Sequence, residues 1–290
     1  MSKPSILLQL DSDRHPSVFD AVVAVDSGVD HLLQYGGIQG SVVADLIHGL
    51  MFTRGPQDLH RSAIFIGGSD VSAGEALLTS VTSCFFGPLR VSVMMDANGA
   101  NTTAAAAVLA ASKHVDLRDC EVLVLAATGP VGQRVIRLLA GEGARVRAGS
   151  RSERRALEVC EQVCRAVPQA RLSAHGTADA ASLTEAMDGV QAVISAGAPG
   201  VELLSEKART ANCDLRVAID LNAVPPLGIA GVDVADRAKD HAGVQCYGAI
   251  GVGGTKMKIH KAALRKLFES NVQVLDAEQI LSIGQQLADD

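Results

Sequence analysis

The chain has 290 residues, 48% of them hydrophobic and 3% aromatic, with 28 glycines and a formal charge of −6. That length lies where a single hydrophobic core usually divides, at roughly 250 to 300 residues, so two lobes are expected. The acidic balance excludes a nucleic-acid surface, the apolar content excludes a fibrous or disordered chain, and no run reaches the ~18 apolar residues of a membrane span.

The segment from Met1 to Asp11 has too short an apolar stretch for a secretory signal and reads as a first strand, Ile6 to Leu10. Ala63 to Gly67 and Val91 to Met95 read as further strands, with helical spacing over Ser41 to Met51 and Gly74 to Phe85. The alanine-rich residues 102–114 predict a helix capped by Asn101 or Thr102, placed as a connector of the lobes. Then come strand 121–126, helix 131–142, strand 144–148, helix 152–166, a weaker strand 170–174 and helix 179–188. Strand 190–195, helix 201–211 and strand 215–220 continue an alternation that belongs to a parallel, doubly wound sheet. Glycine-rich residues 248–254 open a helix over about 255–269, and a last helix, about 276–288, returns to the first lobe. The expected fold is α/β with two domains. An N-terminal α/β domain for substrate and oligomerisation covers 1–115, joined by the C-terminal helix of about 271–290, and a Rossmann-like, doubly wound domain covers 116–270.

Chemistry is concentrated in four places. The run Val122 to Gly132 passes from an apolar strand through Thr128, Gly129, Pro130, Val131 and Gly132 into an amphipathic helix, which sets backbone N–H groups at a positive helix end suited to pyrophosphate. About twenty residues on, Ser150 and Arg151 stand where an NAD-preferring protein carries an acid, so a 2′-phosphate and hence NADP are predicted, with NAD as the weaker alternative. Ala196 and Gly197 form a second small-residue turn that lets a dinucleotide approach. Lys256 and His260 are four apart on one helical face, read as lying near its N-terminal end, where a cation is unfavourable unless an anion or electron-rich partner is met. Asn98, Thr102 and Thr103 follow a strand end, where ligands of parallel sheets bind, and Phe19 with Asp20 offers a ring-stacking face beside an acid. The six cysteines lack C-x-x-C spacing and are expected as reduced thiols of a cytoplasmic protein; the eight histidines lack paired ligand spacing, so no metal is predicted, and no G-x-S-x-G elbow occurs.

With those residues the chain resembles the bacterial NADP-dependent methylene-tetrahydromethanopterin dehydrogenases, relatives of the methylene-tetrahydrofolate dehydrogenases. The likeness rests on PSVFD (16–20), FFGPLRVSVMMDANGANTTAAA (85–106), TGPVG (128–132), LNAVPPLGI (221–229) and GAIGVGGTKMKIHKAALRKLFES (248–270). It implies two domains with an active-site cleft between them, a homo-oligomer (a trimer), and hydride transfer from the methylene carbon of tetrahydromethanopterin to NADP in one-carbon metabolism. The family's active-site Phe, Thr, Lys and His fall on Phe19, Thr103 (with Thr102 beside it), Lys256 and His260, and Ala127 replaces the first glycine of its turn. Methylene-tetrahydrofolate oxidation is the alternative within enzymes. A cyclohydrolase is disfavoured because neither Tyr35 nor Tyr247 is followed by Lys four residues on. A regulatory protein that binds NADP(H) without turnover is the reading from another class.

Overall fold

A computed structural model describes residues 3–289; Met1 and Ser2, which open the predicted first segment, and Asp290 lie outside them. In chain order the elements begin β1 (Ile6–Asp11), α1 (Val18–Asp26), β2 (His31–Tyr35), α2 (Gly40–Phe52), β3 (Ser62–Gly67), α3 (Val71–Ser83), β4 (Ser92–Met95) and α4 (Ala100–Ser112). They continue β5 (Glu121–Leu125), α5 (Pro130–Gly141), β6 (Arg145–Ser150), α6 (Glu153–Ala166), β7 (Arg171–Gly176), α7 (Ala180–Met187), β8 (Ala192–Ser195), α8 (Glu206–Ala211) and β9 (Val217–Asp220). The chain closes with β10 (Arg237–His241), β11 (Val244–Tyr247), α9 (Ala249–Lys266), β12 (Val274–Leu275) and α10 (Ala277–Asp289).

Two compact units result: Met1–Thr102 with Met257–Asp290, and Thr103–Lys256. The division falls inside α4 and α9, whereas the sequence pattern places it at 115/116 and 270/271, beyond the helix ends. The local bonds explain the shift. The first turn of α4 is tied to Asp96 through Asn101 and Thr102, and the start of α9 is bonded to Val234 through Ile250, whereas His260 and Lys261 further along α9 meet Phe65 and Asp26.

In the first unit all five strands are parallel, in the order β2-β1-β3-β4-β12. The order reverses between β1 and β3, and a ligand crevice in such a sheet forms outside the carboxyl ends of the strands at that reversal. β3 is buried along its whole length, the near-continuous apolar strand expected when both faces of a parallel sheet are covered. Each fully buried Val, Leu, Ile or Phe contributes roughly 1.5–3 kcal/mol by leaving water, and Ile64, Phe65 and Ile66 all do so.

In the second unit the order is β7-β6-β5-β8-β9-β11-β10. The first six are parallel, and β10 pairs antiparallel with β11 at the edge. Here the reversal lies between β5 and β8. α5 and α6 are amphipathic: Val135, Ile136, Leu138 and Leu139 of α5, and Ala156, Val159, Cys160 and Val163 of α6, are buried. The run Ala104 to Val108 of α4 is buried all round, which explains why that helix shows high propensity but no apolar stripe.

Two elements carry no expectation from the sequence, and two expectations are corrected. β2 lies in a stretch to which the sequence pattern assigns no element, since His-Leu-Leu-Gln-Tyr lacks alternation and most of it is exposed. The hairpin β10–β11 leaves no sequence signal because β10 is charged and exposed. The helix expected over 201–211 is only α8, where Ser205 accepts from the Ala208 N–H and sets the start; before it Leu204 bridges Ile229. The glycine-rich stretch, apart from Gly248 just before the helix, lies inside α9 rather than ahead of it. A Cβ on Gly248 or Gly251 would strike the carbonyls of Asp233 and Asp236, so these glycines allow helix and loop to pack rather than form a turn.

Candidate functional site

The turn between β5 and α5 is built from uncharged small residues. Gly129 is the N-cap of α5 with no side-chain cap, and Pro130 occupies the first helical turn, where its missing N–H costs nothing. The left-handed residue is Ala126, φ 55°, one position before Ala127, which is fully buried and donates its N–H to Gly149. The replacement of the first glycine at Ala127 therefore meets no conformational demand; the conformation glycine would ease is at Ala126. Gly132 is the strict position, since a Cβ there would lie 2.7 Å from the Ala126 carbonyl oxygen and 3.0 Å from the Ala127 Cα. Gly129, by contrast, faces only an ordinary 3.5 Å contact, so its bareness is available to a ligand. An uncapped helix end carries partial positive charge and N–H donors, and these residues fit a dinucleotide pyrophosphate.

At the end of the neighbouring strand, Ser150 is buried, accepts the Ser152 N–H at 3.3 Å and, through its carbonyl, the Thr177 N–H. Arg151 follows on the surface. Ser152 caps α6 without a side-chain bond, and Arg154 is paired with Glu158 at 2.8 Å. Across the reversal, Ala196 donates its N–H to Leu125, and Gly197 packs under Leu203. All the predicted cofactor residues thus sit at strand ends of one unit.

The first unit gathers another set. Ser17 caps α1 by accepting the Asp20 N–H, which leaves Phe19 54% exposed on the first turn. The Asp20 carboxylate lies 3.5 Å from where a Gly67 Cβ would stand, and Asn98, exposed with φ 55°, donates its N–H to Gly68. Phe19, Asp20 and Asn98 are therefore brought around the end of β3. Thr102 is different. It is fully buried, and its hydroxyl donates to Asp96 at 2.6 Å while Asp96 also accepts the Asn101 and Thr102 N–H groups. Asp96, not Asn101 or Thr102, caps α4; the Asn101 amide instead donates to Met95 and Asp276. Thr103 is half-buried.

Lys256 is half-buried about two turns into α9, so the predicted conflict with the helix N-terminus does not arise there. One turn on, His260 is 1% exposed, its ring stacked on Phe65 at 5.6 Å. Gly253 and Gly254, just before Lys256, would meet nothing within 4 Å with a Cβ added. Two bare positions inside a helix cost about 1 kcal/mol each relative to alanine, with no packing need of this chain to offset them.

Sequence reasoning passes over three aspartates, Asp11, Asp96 and Asp220, each at or just past a strand end and nearly or fully inaccessible. Each accepts backbone N–H groups of the following loop: Asp13 and Ser17 for Asp11, Asn101 and Thr102 for Asp96, Asn222 and Ile229 for Asp220. The signal is present as an apolar run closing on Asp three times. Burial pushes the Asp220 carboxyl above its usual range, against the hydrogen bonds that lower it. Burial likewise pushes the thiols of Cys120, Cys160 and Cys246 up to about 11, and all six cysteines are free. Among the described residues, no group of three or more His, Cys, Asp or Glu is arranged to hold a metal, and no helix is long and apolar enough to cross a membrane.

A sheet with this strand order, carrying an uncapped glycine turn at its reversal, defines the class: a Rossmann-type dinucleotide-binding protein. Comparison with known proteins agrees. Residues 18–98 match the family described as methylene-tetrahydromethanopterin dehydrogenase, N-terminal, and residues 126–275 match the family described as NAD(P)H-binding. A Methylorubrum extorquens protein described as the bifunctional protein MdtA is 43% identical over 99% of this chain and 100% of its own. The NAD(P)-dependent methylenetetrahydromethanopterin dehydrogenase of the same organism is 31% identical over 92% of each chain. At the level of fold alone, the ligand-free 5-ketofructose reductase of Gluconobacter sp. strain CHM43 aligns with a TM-score of 0.56 at 11% identity, covering 98% of this chain and 99% of that one. The chain belongs to the methylene-tetrahydromethanopterin dehydrogenase family of oxidoreductases.

Proposed function

We propose that this chain oxidises methylene-tetrahydromethanopterin to methenyl-tetrahydromethanopterin with NADP, in one-carbon metabolism. The observation that carries the reading is the turn from Ala126 to Gly132, tight at Gly132 and bare at Gly129, with Ser150 and Arg151 ending the adjacent strand in place of an acid. Thr128, Gly129, Pro130, Val131 and Gly132 hold the pyrophosphate, Ser150 and Arg151 the 2′-phosphate, and Ala196 and Gly197 flank the nicotinamide half. When bound, the dinucleotide supplies a hydride acceptor.

Removing hydride from a carbon between two nitrogens leaves a resonance-stabilised methenyl cation, so no proton is abstracted at that carbon and no strong base is needed. The chain's work is placement, holding donor and acceptor atoms about 3–3.5 Å apart. Phe19 packs on the pterin or arylamine ring. Asp20, Asn98 and Thr103 hydrogen-bond its polar edge, and Lys256 fixes the imidazolidine region from a distance at which its charge does not oppose the cation. Thr102 and His260, enclosed as they are, serve by setting Thr103 and Lys256 in place. The proposal extends to a cytoplasmic protein and to a homo-oligomer, a trimer by the resemblance; what supports the oligomer is α1, which leaves Val18, Val22 and Val25 76%, 54% and 61% exposed.

The test is direct. Purified protein given NADP and methylene-tetrahydromethanopterin should generate the absorbance of reduced nicotinamide, faster than with NAD. Methylene-tetrahydrofolate, the alternative carrier, should be run in parallel. Binding of NADP with no reduced nicotinamide from either carrier would overturn the reading in favour of a regulatory protein.

A further inference from the structure

Asp220 stands at the end of β9, fully buried, and both of its oxygens are engaged: one accepts the Asn222 N–H at 3.1 Å, the other the Ile229 N–H at 3.0 Å. One carboxylate thus closes both ends of the excursion Asn222 to Gly228. Within it the Asn222 side chain donates to the Pro226 carbonyl and accepts the Val224 N–H, which stiffens the tip. The tip is exposed and apolar, Ala223-Val224-Pro225-Pro226, with Val224 50% exposed.

This loop is joined to the one after β8. Gly200 donates its N–H to Val224, and Leu203 and Leu204 both donate to Gly228. The carboxylate and the Ser195 hydroxyl at the end of β8 meet over Gly228, where a Cβ would collide with Ser195 and come within 2.7 Å of the Asp220 oxygen. The two loops are therefore tied into one body whose anchor is Asp220, and that body contains Ala196 and Gly197. It lies on the β8–β9 side of the reversal, whereas the Ser150–Arg151 corner lies on the β6 side.

We infer that Asp220 is a positioning residue for the nicotinamide half of the coenzyme, fixing the paired loops 196–204 and 221–229 against which that half rests. The inference depends on the dinucleotide reading above. The remote corner that meets the 2′-phosphate does not share the anchor. Loosening Asp220 should then act on the part of the coenzyme that carries the nicotinamide and leave the adenosine end alone.

The experiment compares wild type, Asp220→Asn and Asn222→Ala in titrations with NADP and with adenosine 2′,5′-bisphosphate, which lacks the nicotinamide, together with the rate of hydride transfer. In Asp220→Asn an amide N–H₂ replaces one acceptor and faces a backbone donor, so one end of the loop is released. The expected result is NADP binding weakened and turnover lowered by about tenfold or more, with the bisphosphate affinity within about twofold of wild type. Asn222→Ala, which leaves both Asp220 bonds in place, should give the same split at smaller size, and it carries the test should Asp220→Asn not fold. Equal weakening of both ligands in the variants, or no weakening of NADP, overturns the inference while leaving the dinucleotide reading intact. Wild-type protein that binds neither ligand overturns both.

Discussion

The two sheets end in loops of opposite character. At the reversal of the second sheet the turn Ala126 to Gly132 has no charged side chain, and Arg151 stands at the next strand end. Around the carboxyl ends of the first sheet the chain carries Asp11, Asp13, Asp20 and Asp96. Asp11 and Asp96 are buried and spend their oxygens on backbone N–H groups. Asp13 binds the Ser69 N–H and hydroxyl. An N–H-lined helix end with an arginine near it suits an anion, whereas the carboxylates of the first unit are largely committed to the chain's own N–H and hydroxyl groups. The same α/β plan thus carries loops of different electrostatic character at the strand ends of its two sheets.

The contrast can be broken at its most sensitive points. Arg151→Ala should raise the KM for NADP by about tenfold or more while leaving the KM for NAD unchanged, because a charge-assisted contact is worth roughly 1.5–3 kcal/mol; steady-state kinetics with both coenzymes check this, and equal effects would remove Arg151 from the phosphate site. Gly132→Ala should destabilise the protein by about 1–3 kcal/mol, since the new Cβ has backbone rather than a flexible side chain against it; denaturant unfolding measures the loss. In the acid-rimmed region, Thr102→Val should cost about 1–2 kcal/mol of stability by removing the hydroxyl that donates to the buried Asp96 carboxylate. Thr103→Val, at a half-buried position, should lower the unfolding midpoint less than Thr102→Val does and raise the KM for the pterin substrate, so the pair separates a supporting threonine from a contacting one. The smallest effect is expected at Gly254→Ala, up to about 1 kcal/mol of added stability from helix propensity. Lower pterin or coenzyme affinity in that more stable variant would mean that a ligand uses the bare face of α9.

Much of the fold is legible in the chain because its signals are local. β5, its turn and α5 can be read from Val122 to Gly132, where apolar run, small residues and helical spacing succeed one another directly. β10 cannot, because a charged edge strand is defined by its partner β11 and not by its own pattern. The glycines of 248–254 mislead for a related reason: Gly248 and Gly251 answer to the carbonyls of Asp233 and Asp236, neighbours that only the folded chain supplies. His260 and Thr102 stand out by residue type, and their enclosure against Phe65 and Asp96 is not written in their spacing. Asp220 sits one residue before a segment with a strong family likeness, yet its work goes through two backbone N–H groups nine residues or fewer away, which no side-chain motif encodes.

β10 has a further consequence. It ends the seven-stranded sheet as a short strand, Arg237-Ala238-Lys239-Asp240-His241, whose register slips between Arg237 and Lys239. A rim that is short, irregular and studded with full charges offers poor purchase to a foreign strand, since adding one would strip water from Lys239 and Asp240 and demand a regular ladder that the slip denies. That edge of the sheet is thereby guarded against growing sideways into fibrils, and the guard costs its buried strands nothing.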